Sequence, residues 1–167
     1  MPRDEVRANP GGEGGARGRK VLVLSGRDER ALAELAAMLR RWEVEPMILG
    51  HLPLEAETVI EELEHYREDV AFGVVLATPD DEGHRRGRPD ERLPRVGQSV
   101  VLELGMLLAS PGLGRARVAI LLQDGMERPS DIEGLIYIGF RDSVTEAGTE
   151  LAIELTRNGI PIAIHKL

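Results

Sequence analysis

The sequence of 167 residues contains no cysteine and few aromatic side chains, with one Trp, two Tyr and two Phe. The absence of cysteine excludes disulfides, thiol nucleophiles and Cys-ligated zinc or iron–sulfur centres. The scarcity of aromatic residues argues against a stacking platform for single-stranded nucleic acid. The chain also lacks an apolar run of the ~20 residues needed to cross a bilayer, and its first 20 residues lack the apolar core of a signal peptide. We therefore expect a cytoplasmic protein with no membrane partner.

Positive charge is also in short supply, because 29 Asp and Glu outnumber 21 Lys and Arg and the formal net charge is −8. This balance disfavours broad binding to a phosphate backbone, so a nucleic acid polymer is not an expected partner. Small molecules and proteins are the expected partners. No pair among His51, His65, His84 and His165 has metal-ligand spacing, so we predict no metal site.

Residues 1–18 are rich in glycine and charge without a periodic apolar pattern, which predicts a disordered tail. The remaining residues 19–167 fit one domain with its own core. Continuous apolar runs at 20–24, 46–49, 70–77, 117–122 and 134–138 predict five buried strands. Helical spacing predicts helices over 29–42, 56–67, 98–109 and 144–158. This alternation predicts an α/β fold with a doubly wound parallel sheet.

Smaller features of the chain are also predicted. Asp28 is expected to cap the first helix, and Glu55 or Ala56 the second. The polar, arginine-containing segment 84–94 is expected to be a loop, with phosphate binding as a less favoured role. The segment 160–164 is an optional edge strand, which Pro161 would confine to the periphery of the sheet.

Glu103 is the one carboxylate in the middle of the apolar helix predicted over 98–109. On a wheel of about 100° per residue its own face carries Val96, Val100 and Leu107, so this face points toward the protein body. An unpaired buried carboxylate is expensive and usually has partners or a task. From periodicity alone, a structural carboxylate and a catalytic or ligand-binding one are equally good interpretations.

Parallel strands end at the edge where doubly wound folds bind ligands. The segments 25–27, 50–52 and 78–81 follow predicted strands and should meet at this edge, within reach of Glu103. For Arg27, phosphate binding and an ion pair with Asp28 or Glu29 are both open. For Asp80, ribose binding and an Asx turn after Pro79 are both open.

Several short motifs, in order along residues 21–158, are similar to one known family. They are 23–28 (VLSGRD), 45–49 (EPMIL), 58–61 (TVIE), 75–81 (VLATPDD) with Gly83, Pro94-Arg95 with Gln98, 102–105 (LELG) and 129–135 (PSDIEGL). The chain resembles the bacterial TIR-like domain of predicted nucleotide-binding proteins, best known from TIR effectors of cyclic-nucleotide-activated antiphage defence. The resemblance implies a flavodoxin-like TIR fold with a five-stranded parallel sheet.

The resemblance also implies an activity, which is hydrolysis of NAD to nicotinamide and ADP-ribose or a cyclic form. NAD is then the substrate and no cofactor is needed. Glu103, in the Glu-Leu-Gly motif, matches the family's catalytic carboxylate. The residues expected to bind substrate are Ser25, Gly26, Arg27, His51, Pro79, Asp80 and Ser99. Self-association through the TIR domain and a separate sensor protein are the expected protein partners.

The chain departs from the family pattern at two places, and the second of them favours an alternative function. Ser25 stands where relatives usually have His, and Ala56-Glu57 stands where they have Gly-Arg beside the loop thought to join protomers. The alternative is a non-catalytic module that binds a nucleotide or a protein partner.

Overall fold

The computed structural model describes residues 18–51, 58–129 and 134–163. In chain order the elements are β1 (Lys20–Ser25), α1 (Glu29–Arg41), β2 (Glu45–Ile48), α2 (Val59–Tyr66), β3 (Phe72–Ala77), β4 (Asp81–Gly83), β5 (Leu93–Arg95), α3 (Gln98–Leu108), β6 (Val118–Gln123), β7 (Ile136–Phe140) and α4 (Gly148–Arg157). No helix among these residues is long and apolar enough to span a membrane. The predicted tail lies outside them except for Gly18.

The central sheet has five strands in the order β2-β1-β3-β6-β7. Every neighbouring pair in this sheet is parallel. This is the flavodoxin-like strand order, in which the chain first winds to one side of β1 and then to the other. The predicted α/β class, with a doubly wound five-stranded parallel sheet, is confirmed.

Each face of the sheet carries one apolar layer. One layer packs α1 and α4 against the sheet through residues such as Leu35 and Leu151, both fully buried. The opposite layer packs α2 and α3 through Leu63 and Leu107, also fully buried. The strands read as continuous apolar runs because side chains on both of their faces enter a core.

Several local predictions were wrong. The predicted loop holds for residues 84–92, but Leu93 and Pro94 belong to β5, which pairs antiparallel with β4 as a separate two-stranded sheet. The cap of α2 is Thr58, whose hydroxyl accepts from Glu61 N–H while the Glu61 carboxylate accepts from Thr58 N–H. Residues 160–163 form no strand, and the last predicted helix begins with a 3-10 turn at Val144–Ala147. Asp28 caps α1 as predicted, by accepting from Ala31 N–H at 2.9 Å.

Candidate active site

The candidate site lies at the carboxyl ends of β1 and β3, the two strands where the winding reverses. Ser25 ends β1 and pairs in register with Leu76 of β3. Ligands bind outside this edge in doubly wound folds because adjacent crossovers leave a crevice there. The segment that leaves β1 and the segment that leaves β3 therefore face one another.

Asp80 joins these two segments. Its Oδ1 accepts a hydrogen bond from the backbone N–H of Arg27 at 2.9 Å. A Cβ on Gly26 would collide with the Asp80 carboxylate, so only glycine leaves room for it there. The Asp80 carboxylate therefore contacts a residue that lies 53 positions earlier in the chain. An Asx turn, the role that the sequence left open for Asp80, does not explain the hydrogen bond between Oδ1 and Arg27.

Glu103 lies on α3 and is 9% exposed, which makes it one of four buried polar or charged residues in the described part of the chain. Val100 and Leu107, on the same face, are buried as the helical wheel predicts. Burial raises the pKa of the Glu103 carboxyl above its usual value. No cation and no hydrogen-bond donor among the described residues pairs with it. The fold therefore holds a carboxylate that is costly to ionise and electrostatically uncompensated.

A second buried glutamate shows how unusual this is. Glu62 on α2 is 6% exposed, and its Oε2 accepts from the backbone N–H of Gly50 at 2.7 Å. Glu62 is thus bound to the segment that follows β2, as a structural carboxylate should be. Glu103 has no equivalent contact, which favours the ligand-binding interpretation over the structural one.

The other predicted substrate-binding residues occupy different positions at this edge. His51 follows β2 and is exposed, and Pro79 is exposed between β3 and β4. Ser99 is exposed in the first turn of α3, one turn before Glu103. Arg27 is exposed, and its guanidinium forms no ion pair with Asp28, Glu29 or Glu103 among the described residues. The structure thus brings Gly26, Arg27 and Asp80 into contact, while the substrate-binding roles stay predictions.

A polar cavity of about 590 Å³ opens beside the N-terminus of α3. It is lined by residues of β4 and β5, by Gln98 and Val101 of α3, and by Glu127 and Arg128. Arg95 forms an ion pair with Glu127, and Arg128 stacks over the Tyr137 ring at 4.9 Å. Sequence reasoning singled out Arg95 and Gln98 as motif residues but missed Glu127, which carries no motif. No group of His, Asp and Glu in the described residues has the arrangement of a metal site.

These features define a TIR-like α/β domain with its candidate site at the carboxyl edge of the sheet. Residues 20–142 match the family model described as CAP12/Pycsar effector protein, TIR domain. The chain belongs to this family, and the resemblance to TIR effectors of antiphage defence is confirmed.

Three curated proteins are similar to this chain. The uncharacterized protein YuaY of Escherichia coli (strain K12) is 36% identical over 86% of this chain and 46% of its own length. Protein tirC of Dictyostelium discoideum is 24% identical over 79% of this chain and 69% of its length. The Pycsar effector protein PaPycTIR of Pseudomonas aeruginosa is 31% identical over 67% of this chain and 35% of its length. The chain therefore spans less than half the length of YuaY and of PaPycTIR.

Proposed function

We propose that this chain is a TIR-type NAD glycohydrolase, which cleaves the bond between nicotinamide and ribose in NAD. The observation that carries the proposal is Glu103, a buried carboxylate without a partner among the described residues. It stands in the sequence Leu102-Glu103-Leu104-Gly105, the segment that matches the family's catalytic motif. An unpaired charge on a packed helix is expensive, and the cost is understandable where the charge meets a substrate.

The chemistry of NAD cleavage fits a single carboxylate. Nicotinamide in NAD carries a pyridinium charge, so it leaves as a neutral molecule without a general acid. The ribose becomes an oxocarbenium-like cation, and a fixed carboxylate in a low-dielectric site stabilises that cation strongly. Water then attacks the anomeric carbon and loses a proton, which yields ADP-ribose. Attack by a base nitrogen of the same molecule instead would yield the cyclic product.

The proposed role also sets the pH dependence of the reaction. Glu103 must be ionised to stabilise a cation, and burial raises the pKa of this carboxyl. The acidic limb of the kcat/KM profile, which reports the free protein, should therefore lie above the usual glutamate value of 4.5. The residual activity of Glu103→Gln should no longer show this acidic limb, because glutamine does not titrate.

Assembly is part of the proposal. Val101 and Leu102 on α3 are 41% and 56% exposed, and Val59 and Ile60 on the neighbouring α2 are 42% and 41% exposed. Apolar side chains exposed together favour a protein contact. We expect a defence effector that becomes active when copies associate, on a signal from a separate sensor protein.

The experiment is nicotinamide release from NAD across a wide range of protein concentration. Wild type is compared with Glu103→Gln, which keeps the side-chain volume, and with Glu64→Gln, an exposed position on α2, as a matched control. Loss of one transition-state contact of this kind costs about 10²- to 10³-fold in kcat. Turnover that rises faster than linearly with protein and disappears only in Glu103→Gln supports the proposal. Saturable NAD binding without turnover at any concentration would instead establish the non-catalytic module.

A further inference from the structure

The Asp80 carboxylate lies near two glycines from different segments of the chain. A Cβ on Gly26, after β1, would collide with the carboxylate, whereas a Cβ on Gly97 would lie 3.6 Å from Asp80 Oδ2, an ordinary contact. Gly97 is the N-cap of α3 and supplies no capping side chain. Asp80 therefore contacts the β1–α1 turn and lies near the start of the Glu103 helix.

The two oxygens of Asp80 have different surroundings. Oδ1 accepts the Arg27 N–H at 2.9 Å. Oδ2 is buried without a hydrogen-bond partner among the described residues. A buried acceptor without a donor is uncommon, because its desolvation must be compensated by another interaction. The adjacent N-terminus of α3 supplies such an interaction, because its partial positive charge stabilises a nearby carboxylate.

Asp80 is thus close to two parts of the candidate site. Arg27 and Gly26 belong to the turn expected to meet the substrate, and Glu103 lies six residues into α3 from Gly97, or about 9 Å along the helix axis. A helix is stiff over this length, so a shift at Gly97 moves Glu103 with it. A displacement of about 1 Å between groups that act on one substrate costs up to about 100-fold in rate.

We propose that Asp80 is a positioning residue, which holds the Gly26-Arg27 turn and the Glu103 helix at the spacing that NAD cleavage requires. This assigns Asp80 a role different from direct contact with the ribose. The part of the proposal that concerns catalysis rests on the proposed function. The part that concerns the Arg27 turn does not rest on the proposed function, and it can be tested by measurements on the protein without NAD.

Four single variants separate positioning from substrate contact. Asp80→Asn keeps an oxygen that accepts the Arg27 N–H, whereas Asp80→Ala removes it. Gly26→Ala expels the carboxylate from its place, and Gly97→Ala, at ordinary contact distance, is the matched control. The double variant Gly26→Ala/Asp80→Ala tests whether the Gly26 effect acts through Asp80, because residues in contact give non-additive changes.

The first measurement is amide hydrogen exchange at Arg27 in the full chain without ligand. We expect exchange at least about tenfold faster in Asp80→Ala and Gly26→Ala, since the opening equilibrium governs the rate. Asp80→Asn and Gly97→Ala should exchange as wild type does. Unchanged exchange in Asp80→Ala would overturn the proposal, whether or not the protein cleaves NAD.

The second measurement is KM and kcat for nicotinamide release, taken below the melting temperature of every variant. We expect kcat/KM to fall about 10- to 100-fold in Asp80→Ala and Gly26→Ala, with KM raised, because the turn that meets the substrate is displaced relative to Glu103. Asp80→Asn should restore KM to near the wild-type value, and the double variant should match Asp80→Ala. Partial unfolding alone would lower kcat and leave KM unchanged. An Asp80→Asn variant that exchanges as wild type does at Arg27 but has the KM of Asp80→Ala would show direct substrate contact and overturn positioning.

If wild type releases no nicotinamide at any concentration, the proposed function fails and catalytic positioning fails with it. The exchange experiment then still decides whether Asp80 holds the Arg27 turn. The two failures are therefore distinguishable.

Discussion

Glu34 on α1 accepts hydrogen bonds from Ser143 Oγ at 2.9 Å and from the backbone N–H of Val144 at 3.1 Å. These contacts join residues about 110 positions apart in the chain and attach the 3-10 turn at Val144–Ala147 to α1. The Ser143 hydrogen bond is the main cause that holds the pKa of the Glu34 carboxyl below its usual value, with the Val144 N–H and Arg30 adding to it. The attachment of the last helix to the core is therefore sensitive to pH.

Glu34→Gln should destabilise the protein at neutral pH. The folded state favours ionised Glu34, so its contribution is present above the unfolded value of 4.5 and is lost as pH falls through the lower folded pKa. We expect a loss of about 1 kcal/mol, or about 2–4 °C in Tm, at pH 7. The difference from wild type should shrink as pH falls below 4.5. Thermal melts across this pH range, with exposed Glu64→Gln as control, measure the effect, and a pH-independent difference would contradict it.

The fold was predictable where burial fixes the pattern. The strand Val21-Leu22-Val23-Leu24 is apolar on both faces because α1 and α3 cover the two sides of the sheet. The capping box of α2 was readable as Thr58 followed by Glu61 three residues later, although the prediction placed the helix start at residue 56, which lies outside the described residues. The burial of Glu103 followed from its neighbours at helical spacing.

The β4–β5 hairpin was not predictable, because each strand has three residues and Asp81-Glu82-Gly83 has no apolar alternation. The contact between Arg27 and Asp80 was also missed. Its donor is a backbone N–H, which has no signature in sequence, and its partner lies 53 residues away. Contacts made by backbone groups across a fold depend on the tertiary arrangement alone.

Two contacts hold the β4–β5 hairpin against the segment that follows β6. Glu127 forms an ion pair with Arg95, and its backbone N–H donates to Pro94 O at 2.9 Å. Glu127→Arg should loosen the hairpin, because it places like charges together while the backbone bond alone remains. Trypsin should then cut faster at Arg85, Arg86 and Arg92, as measured by timed digestion and mass spectrometry.

The control for the hairpin is Glu82→Gln, whose 3.6 Å contact with Arg92 joins two largely exposed side chains and should matter little. The double variant Arg95→Glu/Glu127→Arg restores opposite charges and should return the digestion rate toward that of wild type. Equal digestion of wild type and Glu127→Arg would show that the ion pair does not fasten the hairpin.

Glu103→Gln should remove activity and stabilise the fold, which is the reverse of what a structural carboxylate would do. Burial raises the folded pKa of Glu103, so the folded state favours the protonated form. Relative to Gln, wild type keeps its full stability below 4.5 and loses some of it as pH rises through the folded pKa. At pH 8 we expect Glu103→Gln to melt at a higher temperature than wild type, and the two proteins should melt together at low pH. Glu62→Gln is the comparison variant, because the Glu62 carboxylate accepts a hydrogen bond from the Gly50 N–H. We expect no rise in its melting temperature at pH 8. If Glu103→Gln melts at a lower temperature than wild type at pH 8, the carboxylate has a stabilising partner in the folded protein. That result would contradict the hypothesis that Glu103 is kept unpaired to meet a substrate.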